Sequence, residues 1–123
     1  GLSYTSFAYS NGALSKTKIA ANEGVTLTFD VANTGKRDGD EVAQVYVKNP
    51  NDPAGPIKAL KAFKRISTKA GETQQVTLQL APEAFQSFND KTQTMEIRPG
   101  KYQLLYGSSS ADKDLKKVDL VIE

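Results

Sequence analysis

The chain has 123 residues, room for a single domain, and its 38% hydrophobic and 24% charged residues suit a packed unit rather than a disordered tail. With no His and no Cys, it lacks the imidazole and thiolate on which Ser/His/Asp or Cys/His nucleophiles and the usual zinc and iron sites depend. A net charge of +2 falls short of a nucleic-acid module, and no apolar stretch approaches the ~18 residues of a membrane span.

From the N-terminus, Tyr4 to Tyr9 and Ala13 to Ala20 are short candidate strands bounded by turn residues. Val25, Leu27, Phe29 and Val31 alternate with Thr26, Thr28 and Asp30, the signature of a half-buried strand. Asn33-Thr34-Gly35 and Asp38-Gly39-Asp40 supply turn residues before the next run, in which Ala43, Val45 and Val47 share one face and Gln44 and Tyr46 the other.

Between Lys48 and Lys58 lie Pro50, Pro53 and Pro56, which cannot donate ladder hydrogen bonds and favour extended backbone, so a long stiff loop is expected. Ile57 to Ile66 is ambiguous. Leu60, Ala62, Lys64 and Ile66 alternate as in a strand, yet Ile57, Leu60 and Lys61 also satisfy a helical spacing.

After Ala70-Gly71-Glu72, the residues Val76, Leu78 and Leu80 predict another strand. Ala81 to Phe88 does not alternate. Its early Pro82, with Phe85 and Phe88 three apart, predicts one helical turn over Pro82 to Phe88 that plugs the end of a core. Met95 to Arg98, then Tyr102, Leu104 and Tyr106 after Pro99-Gly100, and finally Val118 to Ile122 complete an all-β chain. The spacing predicts a β-sandwich of two antiparallel sheets with about seven to eight strands. Lacking the Cys and Trp of an immunoglobulin domain, it is expected to be a fibronectin-like variant.

No candidate chemistry survives its simpler explanation. Asp38, Asp40 and Glu41 gather around Gly39, and a turn of acidic residues can bind calcium, but Lys36 and Arg37 oppose a cation and the pattern is not an EF-hand, so a solvated turn is expected. A glycosidase needs two carboxylates roughly 5–10 Å apart across a cleft, and nothing positions such a pair. Lys58, Lys61, Lys64, Arg65 and Lys69, interleaved with Phe63, imitate a nucleic-acid groove but suit better the lysines that protect a sheet edge. Gly107-Ser108-Ser109-Ser110 lacks the Lys and helix of a phosphate loop. Tyr4, Phe7, Tyr9, Tyr46, Tyr102 and Tyr106 could stack on sugars, but alternation assigns most of them to a core or interface. The expected inventory is no catalytic residue, no metal ligand and no cofactor.

Read together, Val31 to Val47 (Val31-Ala32-Asn33-Thr34-Gly35-Lys36-Arg37-Asp38-Gly39-Asp40-Glu41-Val42-Ala43-Gln44-Val45-Tyr46-Val47), the opening Gly1-Leu2-Ser3-Tyr4-Thr5-Ser6-Phe7, Leu60-Lys61-Ala62-Phe63-Lys64-Arg65-Ile66, Ala70-Gly71-Glu72 and Pro99-Gly100-Lys101-Tyr102 form a specific set. The chain resembles the C-terminal fibronectin type III-like domain of glycoside hydrolase family 3, the β-glucosidase and β-xylosidase group. The resemblance covers essentially the whole chain, with one departure: Ala62 stands where the family usually has glycine.

The resemblance implies that Leu60 to Ile66 is a strand. It also implies that residues 1–123 are one fibronectin type III-like domain excised from the C-terminus of a larger enzyme, in which upstream domains carry the catalytic residues. The expected function is then a non-catalytic accessory role, packing on and stabilising the catalytic domains of the same polypeptide. The stiff loop of Pro50, Asn51, Asp52, Pro53, Ala54, Gly55 and Pro56 is the candidate docking element, because it has little conformational entropy to lose. The alternatives are a carbohydrate-binding module that anchors an enzyme on polysaccharide, and a free-standing protein-interaction sandwich. Neither a nucleic-acid nor a membrane partner is expected, and the resemblance suggests a periplasmic or extracellular location.

Overall fold

The computed structural model describes residues 6–49, 59–89, 91–108 and 115–123. The Pro50 to Pro56 segment lies outside the described residues, as do Tyr4, Lys58, Ser109 and Ser110.

Among the described residues, ten strands and one helical turn follow in chain order: β1 Phe7–Leu14, β2 Lys18–Ile19, β3 Val25–Asn33, β4 Gly39–Lys48, β5 Ala59–Thr68, β6 Thr73–Leu80, the 3₁₀ turn Pro82–Phe85, β7 Ser87–Asn89, β8 Thr94–Glu96, β9 Gly100–Gly107 and β10 Lys116–Ile122. They form a three-stranded sheet ordered β1-β3-β6 and a five-stranded sheet ordered β2-β10-β9-β4-β5, with a separate β7-β8 hairpin. The sandwich sheets therefore hold eight strands, as the alternation predicts. One pairing departs from the antiparallel expectation, because β2 lies parallel to β10.

Alternation decides what lies between the sheets. Val25, Leu27, Phe29 and Val31 of β3, Ala43, Val45 and Val47 of β4, Val76, Leu78 and Leu80 of β6, and Tyr102, Leu104 and Tyr106 of β9 all belong to one buried cluster. At its centre Phe29 stacks on Tyr106 with ring centroids 4.7 Å apart, and Tyr9 packs on both rings at 5.7 and 6.4 Å. Offset contacts of this kind add about 0.5–1.5 kcal/mol beyond the buried area.

Three features differ from the expectations. The Ser10-Asn11-Gly12 stretch does not end a strand but bulges within β1, where the register with β3 shifts between Ser10 and Ala13 and Asn11 takes φ 57°. Gly12 is required there, since a Cβ would lie 2.2 Å from the Tyr106 hydroxyl oxygen. The helical turn stops at Phe85, and Phe88 belongs to β7. Only three residues fit the turn after Pro82, and Gln86 returns to extended backbone with φ −72° and ψ 144°. Phe85 is the residue that plugs the core, meeting Tyr102 edge-on at 5.8 Å.

Asn33 ends β3 as a buried tie rather than a solvated turn. Its Nδ2 donates to the backbone oxygens of Arg37 at 2.8 Å and Thr68 at 3.0 Å, and its Oδ1 accepts from the Gly35 N–H at 2.9 Å. The Thr68 carbonyl belongs to β5, so this side chain joins the two sheets.

Candidate interface on the outer sheet faces

The acidic turn is occupied by the fold itself. Asp38 accepts the Ala70 N–H at 2.9 Å, and Asp40 accepts the Ser67 hydroxyl at 2.6 Å with Arg65 at 3.9 Å. Glu41 accepts the N–H of its neighbour Val42 at 3.0 Å. Asp38 and Asp40 flank a groove of about 470 Å³ lined also by Gly39, Ser67, Thr68 and Lys69, and they fasten the start of β4 to the end of β5 and the turn after it. Among the described residues, no group of three or more Asp or Glu converges as a metal site would require.

The described aromatics weighed for sugar stacking are spent on packing, as the alternation predicts. Tyr9, Tyr46, Tyr102 and Tyr106 are all buried, and Phe7 packs against the core. Burial raises the Tyr9 hydroxyl pKa well above the ordinary phenolic value, helped by the nearby Glu41 charge, and burial raises that of Tyr106 as well. The Tyr9 hydroxyl finds no hydrogen-bond partner among the described residues.

The outer faces of the two sheets remain, and they differ. On the three-stranded sheet, the outward positions are Thr26, Thr28 and Asp30 of β3, opposite Gln79, Thr77 and Gln75 of β6, with Ser10 of β1 opposite Asp30. Thr28 and Thr77 hydroxyls lie 3.3 Å apart, and Asn11 donates to Asp30 at 2.9 Å. This face is flat and polar.

On the five-stranded sheet, the register pairs Val42 with Arg65, Gln44 with Phe63 and Tyr46 with Leu60 across β4 and β5, and Tyr46 with Leu105 across β4 and β9. Opposed side chains share a face, so these residues all point away from the core. Tyr46, Leu105 and Leu115 form a second buried cluster, separate from the core, and the Tyr46 hydroxyl donates to Gln44 Oε1. Beside it, Phe63 is 67% exposed, Leu60 48% and Val42 38%.

A β-bulge creates this patch. The β4–β5 register shifts at Val45/Tyr46, so Val45 faces Ala62, Tyr46 faces Leu60, and Lys61 is the extra residue. Strict alternation would put Leu60 inward with Ala62 and Ile66. The bulge turns it outward beside Phe63. β5 is the edge strand expected from its lysines, with Lys61, Lys64 and Arg65 exposed along it.

With this geometry in view, the comparisons with known proteins are direct. The family model for the fibronectin type III-like domain matches residues 41–110. The chain belongs to that family. It is 41% identical over 124 residues to the "Xylan 1,4-beta-xylosidase" of Xylanibacter ruminicola, covering 99% of this chain and 14% of that protein. It is also 41% identical to the "Beta-xylosidase" of Formosa agariphila, covering 100% of this chain and 17% of the relative. The structure of the GH3 beta-glucosidase of Bifidobacterium adolescentis superposes with a TM-score of 0.85 at 31% identity, covering 99% of this chain and 18% of that one. This fibronectin type III-like chain thus spans only about a seventh to a sixth of the length of the relatives it matches.

Proposed function

We propose that this chain is a non-catalytic accessory domain of a glycoside hydrolase of the β-glucosidase/β-xylosidase group, packing on and stabilising catalytic domains of the same polypeptide. The observation that carries this reading is the coverage: the chain is matched almost end to end, yet it accounts for 14% and 17% of two β-xylosidases. The chemistry of the chain agrees, since Asp38 and Asp40 are engaged in fastening β4 to β5.

Packing is a sufficient role for such a unit, because interfaces between domains of one chain bury about 600–1,500 Å² and fix relative placement. The Pro50 to Pro56 segment remains a proposed contact on its sequence alone.

The test is the native polypeptide that carries this sequence. An antibody to the 13.3 kDa chain should detect a band several-fold heavier that copurifies with aryl-glycosidase activity. Removing residues 1–123 from it should lower its melting temperature. A native band at 13.3 kDa, or a deletion that leaves the melting temperature unchanged, would contradict the reading.

A further inference from the structure

We infer that the outer face of β9-β4-β5, centred on Phe63, Leu60 and Val42 over the Tyr46–Leu105 pair, is the surface that docks on an adjoining domain of the same polypeptide. The inference rests on the accessory-domain reading and adds the surface to it.

Three observations select this face and this occupant. Phe63 at 67% exposed and Leu60 at 48% sit together, whereas the outward positions of β3 and β6 carry only Thr, Asp, Gln and Ala. An exposed aromatic on the same face as a buried Tyr–Leu pair suits the anchor of an interface centre.

The second observation is size. Three partly exposed apolar side chains present on the order of a few hundred Å², short of the roughly 600–1,000 Å² that each partner buries in a stable complex between separate proteins. A tethered domain needs less, because attachment supplies an effective concentration in the millimolar range. The relatives carry about five to six times this chain's length as further sequence in the same polypeptide, which provides such a tether.

The third is charge. On the same outer face Arg65 lies 3.9 Å from Asp40 and Lys101 lies 3.9 Å from Asp119, so the excess positive charge around the patch, among the described residues, is that of Lys48 and Lys117. The occupant is therefore a surface with an apolar centre and an acidic rim, placed by the rim and held by the centre.

The experiment compares Phe63→Asp with Thr28→Lys, a charge placed on the opposite outer face, each in the native polypeptide and in the isolated 123-residue chain. In the isolated chain, both variants should melt within a few degrees of the parent sequence, as surface substitutions do. In the native polypeptide, Phe63→Asp should raise the rate at which limited proteolysis releases this domain by about tenfold, the scale of an interface anchor, while Thr28→Lys leaves the rate unchanged.

If removing the whole domain destabilises the native polypeptide but Phe63→Asp does not, the accessory reading stands and this surface is wrong. A larger effect from Thr28→Lys assigns docking to the other face. A native polypeptide no larger than this chain removes both the reading and the inference. Self-association of the isolated chain that Phe63→Asp abolishes, or its retardation by β-glucan or xylan in affinity electrophoresis that Phe63→Ala relieves, would overturn the intrachain occupant.

Discussion

The two outer faces of this sandwich are made by the same kind of strand on either side of a shared core, yet they are built to different ends. Over β3 and β6 the outward residues are Thr26, Thr28, Asp30, Gln75, Thr77 and Gln79, all polar, with Thr28 and Thr77 bonded to each other. Over β9, β4 and β5 the outward positions include Val42, Tyr46, Leu60, Phe63 and Leu105. Both inner faces meet the same requirement of burial, so the contrast is not imposed by the fold. A polar face suits permanent solvent, and an apolar patch with a charged rim suits a partner.

The comparison assumes that both faces ride on one cooperative unit, and the largest expected effect tests that assumption. Phe29→Ala removes the ring between Tyr9 and Tyr106 and should cost about 3–5 kcal/mol in urea unfolding. Probes on the two sheets should lose structure at the same midpoint. Separate transitions would break the comparison.

Asn33→Ala should cost about 2–3 kcal/mol, because it strands the buried Thr68 carbonyl together with the part-buried Arg37 carbonyl and Gly35 N–H. Since Asn33 bridges β3 to β5, hydrogen exchange should accelerate on both strands. Gly12→Ala forces a Cβ onto the Tyr106 ring and should cost about 1–3 kcal/mol by the same unfolding assay.

Alkaline titration gives a smaller effect of defined sign. The folded state holds the Tyr9 and Tyr106 protons more tightly than the unfolded chain does. Their contribution is complete at neutral pH and declines as pH rises past about 10, where unfolded tyrosine ionises. Tyr9→Phe should flatten that decline.

The smallest effect bears most closely on the contrast. Phe63→Ser and Thr77→Val exchange the characters of the two faces, and each should change the isolated chain's stability by less than about 0.5 kcal/mol. A large loss from Phe63→Ser alone would mean that the patch serves this domain's own folding.

Much of the architecture was legible in the chain because half-burial writes itself as alternation. Val25 to Val31 and Val76 to Leu80 revealed both their strands and their inner faces. What was not legible depended on a change of phase or on a distant partner. The bulge at Lys61 reverses the phase of Leu60, and no residue at that point announces an inserted position. Asn11 and Gly12 read as a strand boundary because turn residues also build bulges. Asn33 looked like a turn residue, since its Thr68 partner is 35 residues away.

The outer patch did leave a trace. Tyr46 and Leu105 occupy polar-phase positions in strands whose core phase is already filled by Val45, Val47, Leu104 and Tyr106. Large apolar residues out of phase on neighbouring strands are the signal by which such a face can be found in sequence.

The most direct test is hydroxyl-radical footprinting of the native polypeptide beside the isolated 123-residue chain. Modification of Phe63 and Leu60 should fall by about fivefold or more in the native polypeptide, as at a water-excluded interface centre, while exposed Met95 on the β7–β8 hairpin reacts equally in both. Equal reactivity of Phe63 in the two samples would contradict docking through this face.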